Sequence, residues 1–231
     1  MGLTPLVLIP GMMCDARMWG GIPAALHPRP VAHHLPVGAD SMAALAGLFL
    51  RDAPPRFALA GLSMGGILAM EVLAQAPDRV ERLALLDTNP RAETPETRAN
   101  REPQIARALN GGLARVMRDE MKPNYLARGP GKKAVLDLCL DMALGLGAEV
   151  FARQSRALAG RQDRQATLAA FAGPALVLMG AEDRLCPRDR HDLMHALMPQ
   201  SRLVIVQGAG HLPTLERPIE TTAALRCWLE E

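Results

Sequence analysis

Three residues of this 231-residue chain could together move protons and make a nucleophile: Ser63, Asp183 and His211. Ser63 sits in Gly61-Leu62-Ser63-Met64-Gly65, a match to G-x-S-x-G, the pattern of a serine held on a strained strand-to-helix turn. A serine hydroxyl is a poor nucleophile at neutral pH and needs a base within hydrogen-bond reach, for which imidazole has a suitable pKa. The imidazole in turn needs a carboxylate on its other nitrogen to fix its tautomer and stabilise the imidazolium. His211 and Asp183 supply those two types, and all three residues lie just past apolar runs that read as strands.

The flanking elements give the serine its setting. Phe57 to Leu62 is an apolar run with the length of a buried strand, and Ile67 to Leu73 have the apolar density of a helix packed on a sheet. So tight a turn leaves no room for a side chain at Gly61 or Gly65, and the helix directs its positive end at the Ser63 hydroxyl. Alone, the pentapeptide is also compatible with an ordinary glycine-rich turn.

Along the chain, Leu6 to Ile9 is a first strand ending at Pro10-Gly11-Met12-Met13, and Val31 to Leu35 a second. A helix capped by Asp40 or Ser41 runs through Leu50. After the Ser63 turn and its helix, Val80 to Leu86 is a strand that stops at Asp87-Thr88. From Asn89 to Gly173 no strand pattern appears. Helices are expected near 95–109, 112–121, 132–145, 148–160 and 163–171, broken at Gly111-Gly112, Gly129-Pro130-Gly131 and Gly145-Leu146-Gly147. Strands resume at Ala175 to Gly180 and at Arg202 to Gln207, with helices from Pro187 to Met198 and from Pro218 to Leu229. Alternating strands and helices predict an α/β fold: about six mostly parallel strands with helices on both faces, residues 1–88 and 174–231 forming the core. The helical insertion 89–173, between the fourth and fifth strands, should lie over the site as a cap. Ligands bind such sheets beyond the carboxyl ends of the strands, where the Gly11 loop, Ser63 and Asp87 all fall.

Composition narrows the partners. The net charge of +2, 49% hydrophobic and 22% charged residues describe an ordinary globular protein and give no reason to expect nucleic acid. Between Arg91 and Arg164 there are 14 basic and 9 acidic side chains, an excess that solvated helix faces account for. No stretch approaches a membrane span, and the N-terminus lacks the basic start of a signal peptide. The expectation is a cytoplasmic protein with Cys14, Cys139, Cys186 and Cys227 as free thiols.

Other candidates have plainer roles. Asp87 could replace Asp183 as the acid, Glu182 reads as a solvated loop charge, and His191 and His195 share a helix face as surface residues rather than metal ligands. His27, His33 and His34 lack partners in sequence. Met12, Met13 and Met64 could line an adaptable apolar pocket or simply pack.

The stretches Leu8-Ile9-Pro10-Gly11-Met12-Met13, Gly61-Leu62-Ser63-Met64-Gly65-Gly66, Gly180-Ala181-Glu182-Asp183-Arg184-Leu185-Cys186-Pro187 and Gly208-Ala209-Gly210-His211-Leu212-Pro213 resemble those of the α/β-hydrolase superfamily, from residue 5 to the end except in the cap. The order serine, acid, histidine is also that superfamily's. The resemblance implies Ser63 as nucleophile, Asp183 as acid, His211 as base, and the amides of Met12 and Met64 as the oxyanion hole. It implies a cofactor-independent serine hydrolase with no metal, acting on a small carboxylic ester. The same triad serves lactones, thioesters, amides and β-diketones, and some superfamily members only bind ligands. Pro10 stands where many relatives have histidine, and the chain begins at what would be the family's third strand, so no antiparallel edge is expected.

Overall fold

The computed structural model describes residues 3–129 and 131–231; Met1, Gly2 and Pro130 lie outside them, so the expected break at Gly129-Pro130-Gly131 is described only at its flanks. The strands are β1 (Leu6–Ile9), β2 (Val31–His33), β3 (Phe57–Leu62), β4 (Val80–Leu86), β5 (Ala175–Gly180) and β6 (Arg202–Val206). They form one sheet in the order β2-β1-β3-β4-β5-β6, every neighbouring pair parallel. β1, β3 and β5 are buried along their whole length, which is why they read as unbroken apolar runs: helices cover both faces of a parallel sheet.

The helices are α1 (Ile22–Ala25), α2 (Met42–Asp52), α3 (Met64–Gln75), α4 (Pro95–Arg107), α5 (Leu113–Arg115), α6 (Lys132–Leu146), α7 (Ala148–Ala159), α8 (Gln165–Ala169), α9 (Arg188–Leu197), α10 (Pro213–Glu216) and α11 (Pro218–Glu230). Ser41 caps α2 by accepting the Ala44 amide at 3.3 Å. Side chains alternate across the sheet, dividing the core in two. Val7, Ile9, Leu59, Leu83 and Val177 pack with α2, α3 and Met194 of α9. Leu6, Leu8, Ala60, Leu176 and Leu178 face Trp19, Ile22, Leu225 and Trp228. The short turn Ala16–Trp19 and α1, which sequence patterning does not reveal, exist to bury Met18, Trp19 and Ile22 against this second face.

Between β4 and β5 the described residues form helices and loops and no strand. Wide helical turns at Ala108–Gly112 and Val116–Met121 flank α5, and Gly111 takes a left-handed φ of 84° where the Gly-Gly break was expected. The excursion closes on itself, because the Arg164 amide donates to the Pro90 carbonyl at 2.8 Å. The Arg164 guanidinium also pairs with Glu71 of α3 at 2.5 Å. α8, just beyond this closure, packs against α3 and α9 in the layer that covers the sheet.

The register Ile9 with Gly61, Leu62 with Leu86, Leu86 with Leu178 and Gly180 with Val206 aligns the strand ends. Every loop that follows a carboxyl end therefore opens on one rim. β1 lies between β2 and β3, so the chain's direction of sheet growth reverses there, and the loops after β1 and β3 flank the crevice such reversals create.

Candidate active site

Ser63 joins β3 to α3 with φ 56° and ψ −118°, a conformation that non-glycine residues rarely hold. The surroundings enforce it. A Cβ on Gly61 would come within 2.2 Å of the Gly65 carbonyl oxygen, and one on Gly65 within 2.1 Å of the Ile9 carbonyl oxygen, so neither position accepts a side chain. The Ser63 amide donates to the Leu86 carbonyl at 2.9 Å, and its own carbonyl accepts the Gly66 and Ile67 amides and, at 2.7 Å, the Thr88 hydroxyl. Strain at one residue is thereby fixed by the two neighbouring strands.

The three residues of the sequence constellation meet. Ser63 Oγ lies 2.8 Å from His211 Nε2, and His211 Nδ1 lies 2.9 Å from Asp183 Oδ2. Asp183, not Asp87, reaches the imidazole. The other Asp183 oxygen accepts the amides of Leu185 at 2.8 Å and Cys186 at 3.1 Å. Burial pushes the Asp183 carboxyl up, but the His211 charge and hydrogen bond and these two amides outweigh it and hold the group below its ordinary range. The His211 loop is pinned from two sides. Its amide donates to the Tyr125 carbonyl at 2.6 Å, and Glu216 accepts the amides of Ala127 at 2.7 Å, Gly210 at 2.9 Å and Leu212 at 3.2 Å.

Asp87 sits behind this array, fully buried, with φ 44°. One oxygen accepts the Gly180 amide at 2.9 Å while the other has no donor. Burial first, and the nearby Asp183 charge second, push its carboxyl well above the ordinary range. The shift favours the protonated form of Asp87 beside the Asp183 carboxylate.

The loop after β1 supplies the opposite wall. Met13 also takes a positive φ, 56°, and its amide donates to Gln154 Oε1 at 2.9 Å. The Gly11 amide faces Met18 Sδ at 3.4 Å. Among the described residues no acceptor meets the amide of Met12 or of Met64. Ser63, His211, Met12 and Met64 all line one cavity of about 520 Å³, closed on its far side by residues of the helical excursion such as Arg101, Met121, Leu158 and Arg161. Met13 is absent from that wall and packs in the core instead.

His191 departs from expectation. It is not a surface residue but wholly buried, and desolvation pushes its pKa down to about 4. Its Nε2 has no partner. The stripe His191, Met194 and Met198, with spacings of three and four, faces inward and was visible in the sequence. His195 is half-buried and meets the Ser201 hydroxyl at 2.8 Å. Glu182 is exposed. Among the described residues one group, Asp183, Cys186 and His211, has ligand atoms within 4.8 Å of one another; His191 and His195 are not in it. The four cysteines are unpaired, and no helix among the described residues is long and apolar enough to cross a membrane. Thr88, Gln154 and Glu216 escape sequence reasoning because each acts on a backbone group remote from it in the chain or hidden by loop shape.

A sequence profile of the alpha/beta hydrolase family matches residues 6–225. The chain is 26% identical to the pimeloyl-[acyl-carrier protein] methyl ester esterase of Pectobacterium carotovorum, over 94% of this chain and 91% of that protein. Among solved structures it resembles a thermophilic esterase from Thermogutta terrifontis with malate bound, at a TM-score of 0.90 and 30% identity, covering 98% of this chain and 89% of the other. The enol-lactonase from Burkholderia xenovorans has the same fold, with a TM-score of 0.85 and 23% identity over 100% of this chain and 93% of that one. With its six-stranded parallel sheet, its strained serine turn and its match from the first strand to the last helix, this chain belongs to the alpha/beta hydrolase family.

Proposed function

We propose that this protein is a cofactor-independent serine hydrolase that cleaves a small carboxylic ester through an acyl-enzyme intermediate. The observation that carries the reading is the unbroken chain of hydrogen bonds from Ser63 Oγ through His211 to Asp183, 2.8 and 2.9 Å long, opening on a cavity of about 520 Å³.

His211 Nε2 takes the Ser63 proton as Oγ attacks the acyl carbon, and Asp183 stabilises the imidazolium through Nδ1. The charge that develops on the carbonyl oxygen is met by the free amides of Met12 and Met64, the latter at the start of α3, whose dipole adds to the field. The alcohol leaves with the proton held by His211. Water, deprotonated by the same imidazole, then attacks the acyl carbon and releases the acid, returning Ser63 Oγ to its starting state. The helices between Pro90 and Arg164 act as the cap that shapes the acyl and alcohol sites. The esterase names carried by the Pectobacterium and Thermogutta proteins support this reading.

A fluorophosphonate probe should label the wild-type protein and leave Ser63→Ala unlabelled. Nitrophenyl ester hydrolysis should fall by about a thousandfold or more in Ser63→Ala and His211→Ala. A wild type that is neither labelled nor active on esters would overturn the reading in favour of a ligand-binding protein on this fold.

A further inference from the structure

The cavity that holds the triad is lined by more positive charge than its own carboxylates can neutralise. Two carboxylates line it, Glu93 and Glu120. Glu120 is committed to Arg107 at 2.8 Å and Gln104 at 3.0 Å. Glu93, its side chain only 3% exposed, is shared by two guanidiniums, Arg101 and Arg161. Two further cavity residues, Arg184 and Arg190, have no carboxylate within ion-pair distance among the described residues. Arg184 reaches only the Leu126 carbonyl, at 3.2 Å. Arg190 Nε is buried with no acceptor at all. A fifth lining arginine, Arg91, is held by Asp189 at 3.2 Å, which leaves four guanidiniums to one available carboxylate.

Two of these charges sit close to the triad. The charges of Arg161 and Arg190 both act on the Cys186 thiol, whose Sγ lies within 4.8 Å of the ligand atoms of Asp183 and His211. A guanidinium has five donors in a planar fork suited to two oxygens of one anion. Withdrawing such a donor from water without an acceptor is unfavourable, and the arrival of an oxyanion in the cavity reverses that.

We propose that the substrate carries, besides its scissile ester, an anionic oxyacid group, a carboxylate or phosphate, that docks against Arg184 and Arg190 beside the Glu93-linked pair. This rests on the hydrolase reading for where the scissile bond lies, and it names the substrate class that reading leaves open. Solvated helix faces do not account for three of these arginines, since the Nε of Arg190 is buried and Arg101 and Arg161 share a single buried carboxylate, while Arg184 is exposed on the loop after β5.

The test compares three methyl esters of matched length whose far ends are a carboxamide, a carboxylate and a phosphate. Wild type should favour at least one anionic ester over the carboxamide by about tenfold or more in kcat/KM, with the preference shrinking as salt rises. Which anion wins identifies the group. In Arg190→Gln and Arg184→Gln that ratio should move toward one, fluorophosphonate labelling of Ser63 reporting that each variant is folded. Equal kcat/KM for all three esters, or a preference that survives both replacements together, would overturn the proposal. Turnover of none would count against the ester reading, and the arginines are then judged by calorimetry: glutarate or a phosphate monoester should bind where glutaramide does not, and no difference among the three sinks the docking site.

Discussion

Gln154 Oε1 accepts the Met13 amide at 2.9 Å while Gln154 Nε2 donates to the Pro36 carbonyl at 3.1 Å. One wholly buried side chain from α7 thus holds the loop after β1, where Met13 has the positive φ that leaves the neighbouring Met12 amide free. Gln154→Leu keeps much of the volume but strands two buried backbone groups. It should destabilise the fold by about 2 kcal/mol or more. It should also lower kcat for ester hydrolysis by about tenfold, with KM little changed, because the donor it positions acts on developing charge. Thermal melts and steady-state kinetics check both, and an unchanged kcat would separate Gln154 from the oxyanion site.

Asp87 and Asp183 make a second prediction. Asp87 has a folded-state pKa above its unfolded value. It therefore takes up a proton on folding, and wild-type stability should fall as pH rises from about 4 toward that raised pKa. Asp87→Asn retains an acceptor for the Gly180 amide and carries no titrating group, so its stability should be flatter over that window and its kcat within a few-fold of wild type. Asp87→Leu removes that acceptor and should be unstable. Denaturant titrations at several pH values decide it; a large loss of kcat in the asparagine variant would show that an ionised Asp87 is required.

His191 has the opposite sign. Its folded pKa, about 4, lies below the ordinary value of 6.5, so the buried ring stays neutral and the unfolded chain binds the proton first. The stability present above pH 6.5 should be lost progressively between 6.5 and 4, by about 3 kcal/mol in all. In His191→Met that part of the acid sensitivity should disappear. Equal slopes of stability against pH for the two proteins over this range would contradict the buried neutral imidazole.

Glu216 gathers three amides from two segments, those of Ala127, Gly210 and Leu212, and so fixes the approach of His211. Glutamine offers one acceptor oxygen in place of two and turns an N–H toward an amide. Glu216→Gln should cut kcat by about tenfold and slow fluorophosphonate labelling alike, since both depend on His211 meeting Ser63. Labelling at the wild-type rate would show the loop held by other means.

Much of this architecture could be read in the chain because its physical causes are local. Phe57 to Leu62 and Ala175 to Gly180 are apolar throughout because helices cover both faces of the sheet they cross. Gly61 and Gly65 announce the turn because no Cβ fits there. The convergence of Ser63, Asp183 and His211 follows once parallel strands with aligned ends are granted. What stayed hidden depends on distance in sequence or on shape. Gln154 acts on a residue 141 positions away. The burial of Trp19 and Ile22 in short turns follows no period. The arginine surplus is a property of which side chains share a wall, and a count along the chain dilutes it with solvated helix faces.

The hydrogen bond from the Arg164 amide to the Pro90 carbonyl has an evolutionary corollary. A loop whose two stems touch imposes no length on what is strung between them, so the polypeptide from Arg91 to Asp163 is topologically detachable. A replacement of another size would leave the strand register intact but would have to rebuild the contacts that Gln154, Tyr125 and Ala127 make to the Met13 amide, the His211 amide and Glu216. The same junction offers the engineer a splice point for a foreign lid, provided the lid restores those contacts.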